Sequence, residues 1–533
     1  MTSSGSGSVH LIVLIHGLWG SPAHLAVAKE ELEKAWLDAH GKGQPTSGSA
    51  GKEAEDIEGP AEDPIVTSRL TKSNSENGNL SANGRGPGDA ANLGEEDELV
   101  IMIAGGMTSQ LTYDGVDVCA SRVAYEVDRK IAELEAEGKV VNKFSLVGVY
   151  LGPLSSRYLV GLLHSRTPSF FDKHHPVSFS TISSPHYGIP RYNTFLSTVL
   201  CWLGARVMSR SGEQLWVADK YSDEDPRPLL EIMADPRSVF YQGLEHFDRR
   251  EIYASAVNDH SVPYPTAAIE PVDHFAQHEE RPFSVEADED GIIRSWRLLD
   301  DDEDESKKKK NLSATSGNGK GNRSKKKGWG IKMGTLPPVL RYRFPFNYII
   351  LLLFPIMLPL IIILILSRQS LDTRRSKRRL QQLSSATACS PSSGSGSDSP
   401  IPSSSGLSIQ SLREGIRRIE RNIESDLIGS VDIDTPYQLH QSRHKGHDSQ
   451  GSGYSHDHKV DLRIELKDSQ LRMCMWLNAL PIKKYLTWWP EVSNAHATAI
   501  VRDPHLFPAH ERGRGLLKFW AKNTLGLSDA ESR

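Results

Sequence analysis

Apolar residues along this chain fall into short runs that alternate between two spacings. Val9 to Ile15 is a continuous β-rich run, Ala23 to Ala39 carries helical spacing, and Leu99 to Ala104 is again a run. Ser121 to Ala136 then places Val123, Val127 and Ile131 one helical turn apart. Phe144 to Val147, Val177 to Ile182 and Ile252 to Val257 continue the strand series, with helical stretches over Leu151 to Ser165 and Phe195 to Met208. Strands alternating with amphipathic helices predict an α/β fold, a mostly parallel sheet with helices on both faces.

The pattern is interrupted. Gly41 to Glu96 is dominated by Gly, Ser, Asn and acidic residues, too poor in apolar side chains to form a core, and is expected to be a dispensable disordered insertion. After Arg281 an acidic run, Asp300 to Glu305, gives way to lysine clusters at Lys307 to Lys310 and Lys325 to Lys327, the composition of a solvated linker. Tyr348 to Leu366 carries no charge and is about long enough to cross a bilayer core, which takes about 20 helical residues. The basic run Arg374 to Arg379 and a Ser/Gly/His-rich tract follow, and ordered pattern returns at Val460 with LRIEL, WLNAL and TWWPEV. The α/β domain is therefore expected in three parts, residues 1–40, 98–280 and 460–533. An insertion (41–97), a charged linker (281–340), an apolar segment (341–368) and a disordered tract (369–459) separate them.

Net charge is −5 over 533 residues, so no global field favours nucleic acid. Cys119, Cys201, Cys389 and Cys474 lie far apart without C-x-x-C spacing, which argues against a zinc site and a disulfide scaffold; no metal or cofactor is expected. The N-terminus lacks the basic region of a signal peptide.

The candidate chemistry centres on Val147 to Leu154, VGVYLGPL, directly after a strand. Gly148 and Gly152 stand at both shoulders of what reads as a strand-to-helix elbow, and Pro153 suits the first helical turn. Such an elbow carries a nucleophile at its centre, where the backbone takes positive φ, and here the centre is Tyr150. Acyl transfer also needs oxyanion donors, a base and an orienting acid. His16-Gly17-Leu18 follows the first strand and offers the backbone N–H of Leu18, with that of Leu151 as a second donor. Asp259 follows IYASAV and is the candidate acid. His496, ahead of the strand-like Ala499 to Val501, is the candidate base.

The segments LIVLIHGLWGSPAHL, LTYDGVDVCASRV, KFSLVGVYLGPLSSRYLVGLL, VSFSTISSPHYGIP, IYASAVNDHSVPYPTAAI and NAHATAIVR together resemble the serine esterase family of lipase-like α/β-hydrolases, which includes fungal lipid-droplet phospholipases. The resemblance implies the α/β-hydrolase fold and hydrolysis of lipid acyl esters. It maps the nucleophilic serine onto Tyr150, the acid onto Asp259 and the base onto His496. The family elbow reads GYSLGGL or GHSLGGL, so GVYLGPLSS departs at several adjacent positions, the serine among them; a splice error in the transcript gives the same local cluster. Two functions stand side by side: a lipase impaired at its nucleophile, or a non-catalytic lipid-binding or scaffold protein. In the helical stretch around Phe195, the side chains Leu200, Trp202 and Leu203 are available to acyl chains or to the core.

The apolar segment constrains topology. If Tyr348 to Leu366 spanned a bilayer, Asp259 and His496 would lie on opposite sides of a core about 30 Å thick. Pro355 and Pro359 near its middle, and basic flanks at Arg341, Arg343, Arg368, Arg374 and Arg375, favour a hairpin in one leaflet with both flanks in the cytosol. The expected location is the cytosolic face of the endoplasmic reticulum or a lipid droplet. The expected partners are that lipid surface and a lipid ester.

Overall fold

The computed structural model describes residues 7–41, 66–71, 98–192, 195–276, 278, 283–298, 360, 363–364, 366–382 and 464–527. Strands β1 (Ser8–Ile15), β2 (Val66–Thr71), β3 (Glu98–Ile103), β4 (Val140–Val149), β5 (His175–Ile182) and β6 (Arg249–Ser255) are followed by β7 (Phe283–Ala287), β8 (Ile293–Leu298) and β9 (Lys483–Thr487). Seven of them form one sheet in the order β2-β3-β1-β4-β5-β6-β9. All pairings in it are parallel except β2 with β3. The α/β expectation holds.

β1 lies inside the sheet, between β3 and β4, and is apolar on both sides. Leu11, Val13 and Ile15 enter one core while Ile12 and Leu14 enter the other, as a strand covered on both faces requires. The first core is closed by helices α2 (Val116–Ala136) and α3 (Gly152–His164), the second by α1 (Ala26–His40) and the C-terminal helix Arg514–Leu525. Residues 464–527 are thus structural: Tyr485 of β9 pairs with Tyr253 of β6, and the buried Trp520 indole donates to Ser180 Oγ at 2.8 Å.

Three expectations change. The block from Gly41 to Glu96 contributes β2, which runs antiparallel to β3 from Val66 opposite Ile103 to Thr71 opposite Glu98. Within that polar block, VTSRLT alternates so that Ser68 and Leu70 turn inward, a period-2 signal that composition averages away. The stretch assigned to the charged linker holds the β7–β8 hairpin, bridged to β9 through Ile292 and Thr487. Ala499 to Val501 is a turn after the short helix Ala495–Thr498, with Val501 at φ 51°. The run LRIEL lies partly outside the described residues, and its Glu465 forms an isolated bridge with Arg191.

Among the described residues no helix is long and apolar enough to cross a membrane. Most of Tyr348 to Leu366 lies outside the described residues, as does the tract from Ser384 to His458. Residues 366–382 form a helix packed on the domain.

Trp520→Ala removes a fully buried indole at the seam between the C-terminal helix and the sheet, and is expected to cost about 3–5 kcal/mol. Denaturant unfolding measures this. A loss below about 1 kcal/mol would mean that this helix is not part of the cooperative core.

Candidate functional site

The sheet delivers β4 to a reversal that most residues resist. Val149 ends the strand, Tyr150 adopts φ 62°, and Leu151 at φ −74°, ψ −27° leads into α3, with Pro153 in its first turn. A non-glycine residue in the left-handed region costs about 1–3 kcal/mol, so the surroundings must over-determine the turn. They do so by close approach. A Cβ on Gly148 would stand 2.4 Å from Pro153 N, one on Gly152 would stand 2.2 Å from the Ile15 carbonyl oxygen, and one on Gly17 would stand 2.4 Å from Tyr150 Cβ. The two shoulder glycines singled out in the sequence, and Gly17, are thus the positions where strand, turn and loop touch. The Tyr150 N–H donates to the Ile182 carbonyl at 3.1 Å, tying the turn to β5.

Beside the turn runs the loop after β1. The Gly20 N–H donates to the Gly17 carbonyl at 2.9 Å and His16 Nδ1 lies 3.1 Å from the same oxygen, so His16-Gly17-Leu18 is a closed turn. Leu18 packs partly against the core, and Trp19, at φ 55°, donates its indole N–H to the Tyr113 hydroxyl at 2.8 Å. Leu151, at the start of α3, has a backbone N–H without an intrahelical acceptor, the ordinary state of a helix start.

Asp259 and His496, separated by 237 positions, meet: Asp259 Oδ2 lies 3.0 Å from His496 Nδ1. The other carboxylate oxygen accepts the N–H groups of Ser261 and Val262 at 3.0 and 2.8 Å, which holds the acid in one orientation. His496 rides on the helix Ala495–Thr498, capped by Asn494, whose side chain accepts from the Ala497 N–H. One residue escaped sequence reasoning. Asn258, at φ 62°, accepts the Ala495 N–H on its carbonyl at 3.0 Å and donates its side chain to the carbonyls of Trp489 and Pro490. It joins the acid-bearing loop to the base-bearing helix. The available signal was the asparagine itself, immediately before Asp259, since Asn tolerates the left-handed region.

The elbow residue closes this pair. The Tyr150 ring stacks on the His496 imidazole, centroids 3.6 Å apart and planes 20° apart, and its hydroxyl donates to the His496 carbonyl at 2.5 Å. Burial raises the phenol pKa well above its ordinary value, and the Asp259 carboxylate adds to the shift while Arg502 opposes it. A Tyr150 phenolate nucleophile is therefore disfavoured near neutrality. Of the neighbouring hydroxyls, Ser156 Oγ donates to the Gly152 carbonyl at 2.9 Å, and Ser155 is fully buried on α3. An Asp–His pair of this geometry can hold one imidazole tautomer and accept a proton at the other nitrogen. Here one face of that imidazole is covered by Tyr150.

A separate cavity of about 20 Å³, lined by Arg157, Thr181, His186, Arg250, Glu251 and apolar side chains, lies among residues of the α2–α3 core. Tyr150 belongs to the core on the other side of the sheet, so that cavity is not part of this site. Among the described residues no cluster of His, Cys, Asp or Glu could hold a metal ion.

Gly152→Ala is expected to destabilise the fold by more than the ordinary helix-propensity gain of alanine, because its Cβ has no room against Ile15. Thermal unfolding checks this; an unchanged midpoint would mean that β1 and α3 are not in close contact. The raised Tyr150 phenol also sets a sign. Its contribution to stability is fully present below the unfolded-state pKa of about 10 and is lost as pH rises toward the higher folded-state value. Tyr150→Phe should therefore lose less stability than the unmodified protein between about pH 8 and pH 11, read by denaturant unfolding at each pH. Equal losses would show that Tyr150 ionises as freely in the folded state as in the unfolded chain.

The sequence matches the family described as "Putative serine esterase" over residues 6–60 and 90–270. It is 31% identical over 128 residues to a protein of Schizosaccharomyces pombe named "Putative lipase C4A8.10", covering 24% of this chain and 16% of that protein. It is 32% identical over 158 residues to "Putative lipase ROG1" of Saccharomyces cerevisiae, covering 30% of this chain and 22% of that protein. The matched stretches thus span about a fifth of these relatives' length. These matches and the elbow geometry lead to one likeness: over residues 6–60 and 90–270 the chain is similar to this serine esterase family.

Proposed function

We propose that this chain is a lipase-type member of its family, working at the surface of a membrane or lipid droplet on the cytosolic side, in which acyl-ester hydrolysis is impaired because Tyr150 occupies the nucleophile position. The substrate class is a lipid or phospholipid acyl ester. Asp259 is the orienting acid, His496 the base, and the N–H groups of Leu18 and Leu151 the oxyanion donors. The observation that carries this reading is the stack of Tyr150 on His496. The ring covers one face of the imidazole that would accept the nucleophile's proton, and the protonated phenol offers no nucleophile near neutrality. In its present form the fold is a lipid-binding scaffold that retains the acid–base pair. The names of the relatives supply the lipase class, and the uncharged run from Tyr348 to Leu366 with its basic flanks supplies the lipid surface.

The unmodified chain is expected to show at most trace hydrolysis of short p-nitrophenyl esters and of phospholipid. Tyr150→Ser, combined with Pro153→Gly to relax the turn, should raise hydrolysis by at least about 100-fold, and His496→Ala in that background should remove the gain. Robust turnover by the unmodified chain, abolished by His496→Ala, would overturn the reading.

A further inference from the structure

We propose that the helix of residues 366–382 is a docking face for anionic lipid headgroups, fixed to the α/β domain by the ion pair of Arg379 with the buried Asp114. This deepens the lipid-surface reading and rests on it. An ordinary surface helix turns its apolar side inward; this one does the opposite. Its inward face is polar: Asp372, Thr373 and Ser376 are buried, at the spacing of one helix face with Arg379. The Thr373 hydroxyl donates to the Val207 carbonyl, the Ser376 and Ser209 hydroxyls lie 3.1 Å apart, and Arg379 places Nη2 2.7 Å and Nε 3.1 Å from the two carboxylate oxygens of Asp114. Arg379 also donates to the Gln110 carbonyl at 3.0 Å. Asp114 is fully buried and is held from its other side by Arg122 at 2.6 Å. Two guanidinium groups on one buried carboxylate make this a fixed anchor.

The outward face is cationic. Arg368, Arg374, Arg375, Lys377 and Arg378 are exposed, and the only acid in residues 366–382 is Asp372, which is buried on the inward face 3.6 Å from Arg375. Five exposed cations within a few turns attract anions by charge complementarity. The apolar surroundings select lipid over a nucleic-acid backbone or an acidic peptide. Leu360, Ile363, Leu364 and Leu371 are 47%, 58%, 60% and 53% exposed, and on the adjoining helix Phe195–Val207, Trp202 is 57% exposed with the Arg206 guanidinium 4.3 Å above its ring. Exposed leucines and a tryptophan beside arginines suit the boundary between headgroups and acyl chains.

The anchor also sets what faces the lipid. Asp114 closes the 3-10 turn Ser109–Tyr113, and the Tyr113 hydroxyl holds the indole of Trp19, the neighbour of Leu18. The docked helix is thereby joined, through that turn and Trp19, to the loop that carries Leu18.

The experiment uses the full chain with vesicles of phosphatidylcholine alone or mixed with phosphatidylserine, at low and high salt, scored by co-sedimentation. The expected result is tighter binding to the mixed vesicles, weakened by salt. The fourfold variant Arg374→Gln, Arg375→Gln, Lys377→Gln and Arg378→Gln should lose that preference by roughly 100- to 1,000-fold, since each cation near an anionic surface contributes about fivefold. These residues are exposed, so the variant should unfold at an unchanged temperature. Binding to both vesicle types without preference would overturn the headgroup face and leave the lipid-surface reading standing. A preference that survives in the variant would place the anion contact elsewhere and overturn the proposal. Binding to neither vesicle would overturn the proposal together with the reading it rests on.

Discussion

The left-handed turn at Tyr150 is the constraint on which the rest of the site depends. A parallel strand must hand over to a helix within one residue, and the backbone can do so only where neighbouring segments leave room for the reversal. Gly148, Gly152 and Gly17 provide it by contact: each is a place where an added methyl group would collide with Pro153, with the Ile15 carbonyl or with Tyr150 itself. Because β1 is the neighbour of the central strand β4 and its Ile15 carbonyl crowds the start of α3, the turn cannot relax without disturbing the middle of the sheet. The strained conformation is therefore held by packing, independently of the side chain at its apex.

That independence explains how a tyrosine occupies the position. The aromatic ring is buried in the second core against His496, and it recovers part of the cost through stacking and a hydrogen bond to the His496 carbonyl. The Asp259–His496 contact survives beneath it because the acid is fixed by the N–H groups of Ser261 and Val262, and the histidine by its capped helix and by Asn258. None of these supports passes through the apex residue. The geometry of acid and base is thus insulated from the substitution that covers it.

The polar underside of the helix at residues 366–382 follows a related logic at the domain surface. A helix attached through Arg379, Asp114 and Arg122 leaves its cations facing outward, where in an ordinary amphipathic helix the burial of apolar residues would set the orientation. Its anchor reaches the turn that supports Trp19, so the surface and the site share a frame.

The strand and helix series, the elbow with its glycine shoulders, and the residue types at Asp259 and His496 were legible in the chain because each rests on local information: hydrophobic period, a turn that only glycine permits, and motif context. β2 was hidden because six alternating residues are diluted by the polar block around them, and the β7–β8 hairpin because charge outweighs alternation in a linker-like stretch. Asn258 went unnoticed because its role is to bridge a loop to a helix more than 200 positions away, which no local window contains. Likewise the basic run at Arg374 to Arg379 read simply as charge. Only the packed structure divides it into an anchoring arginine and an outward cationic face, because helical periodicity determines which residues share a side while the contacts of the folded domain decide which side is buried.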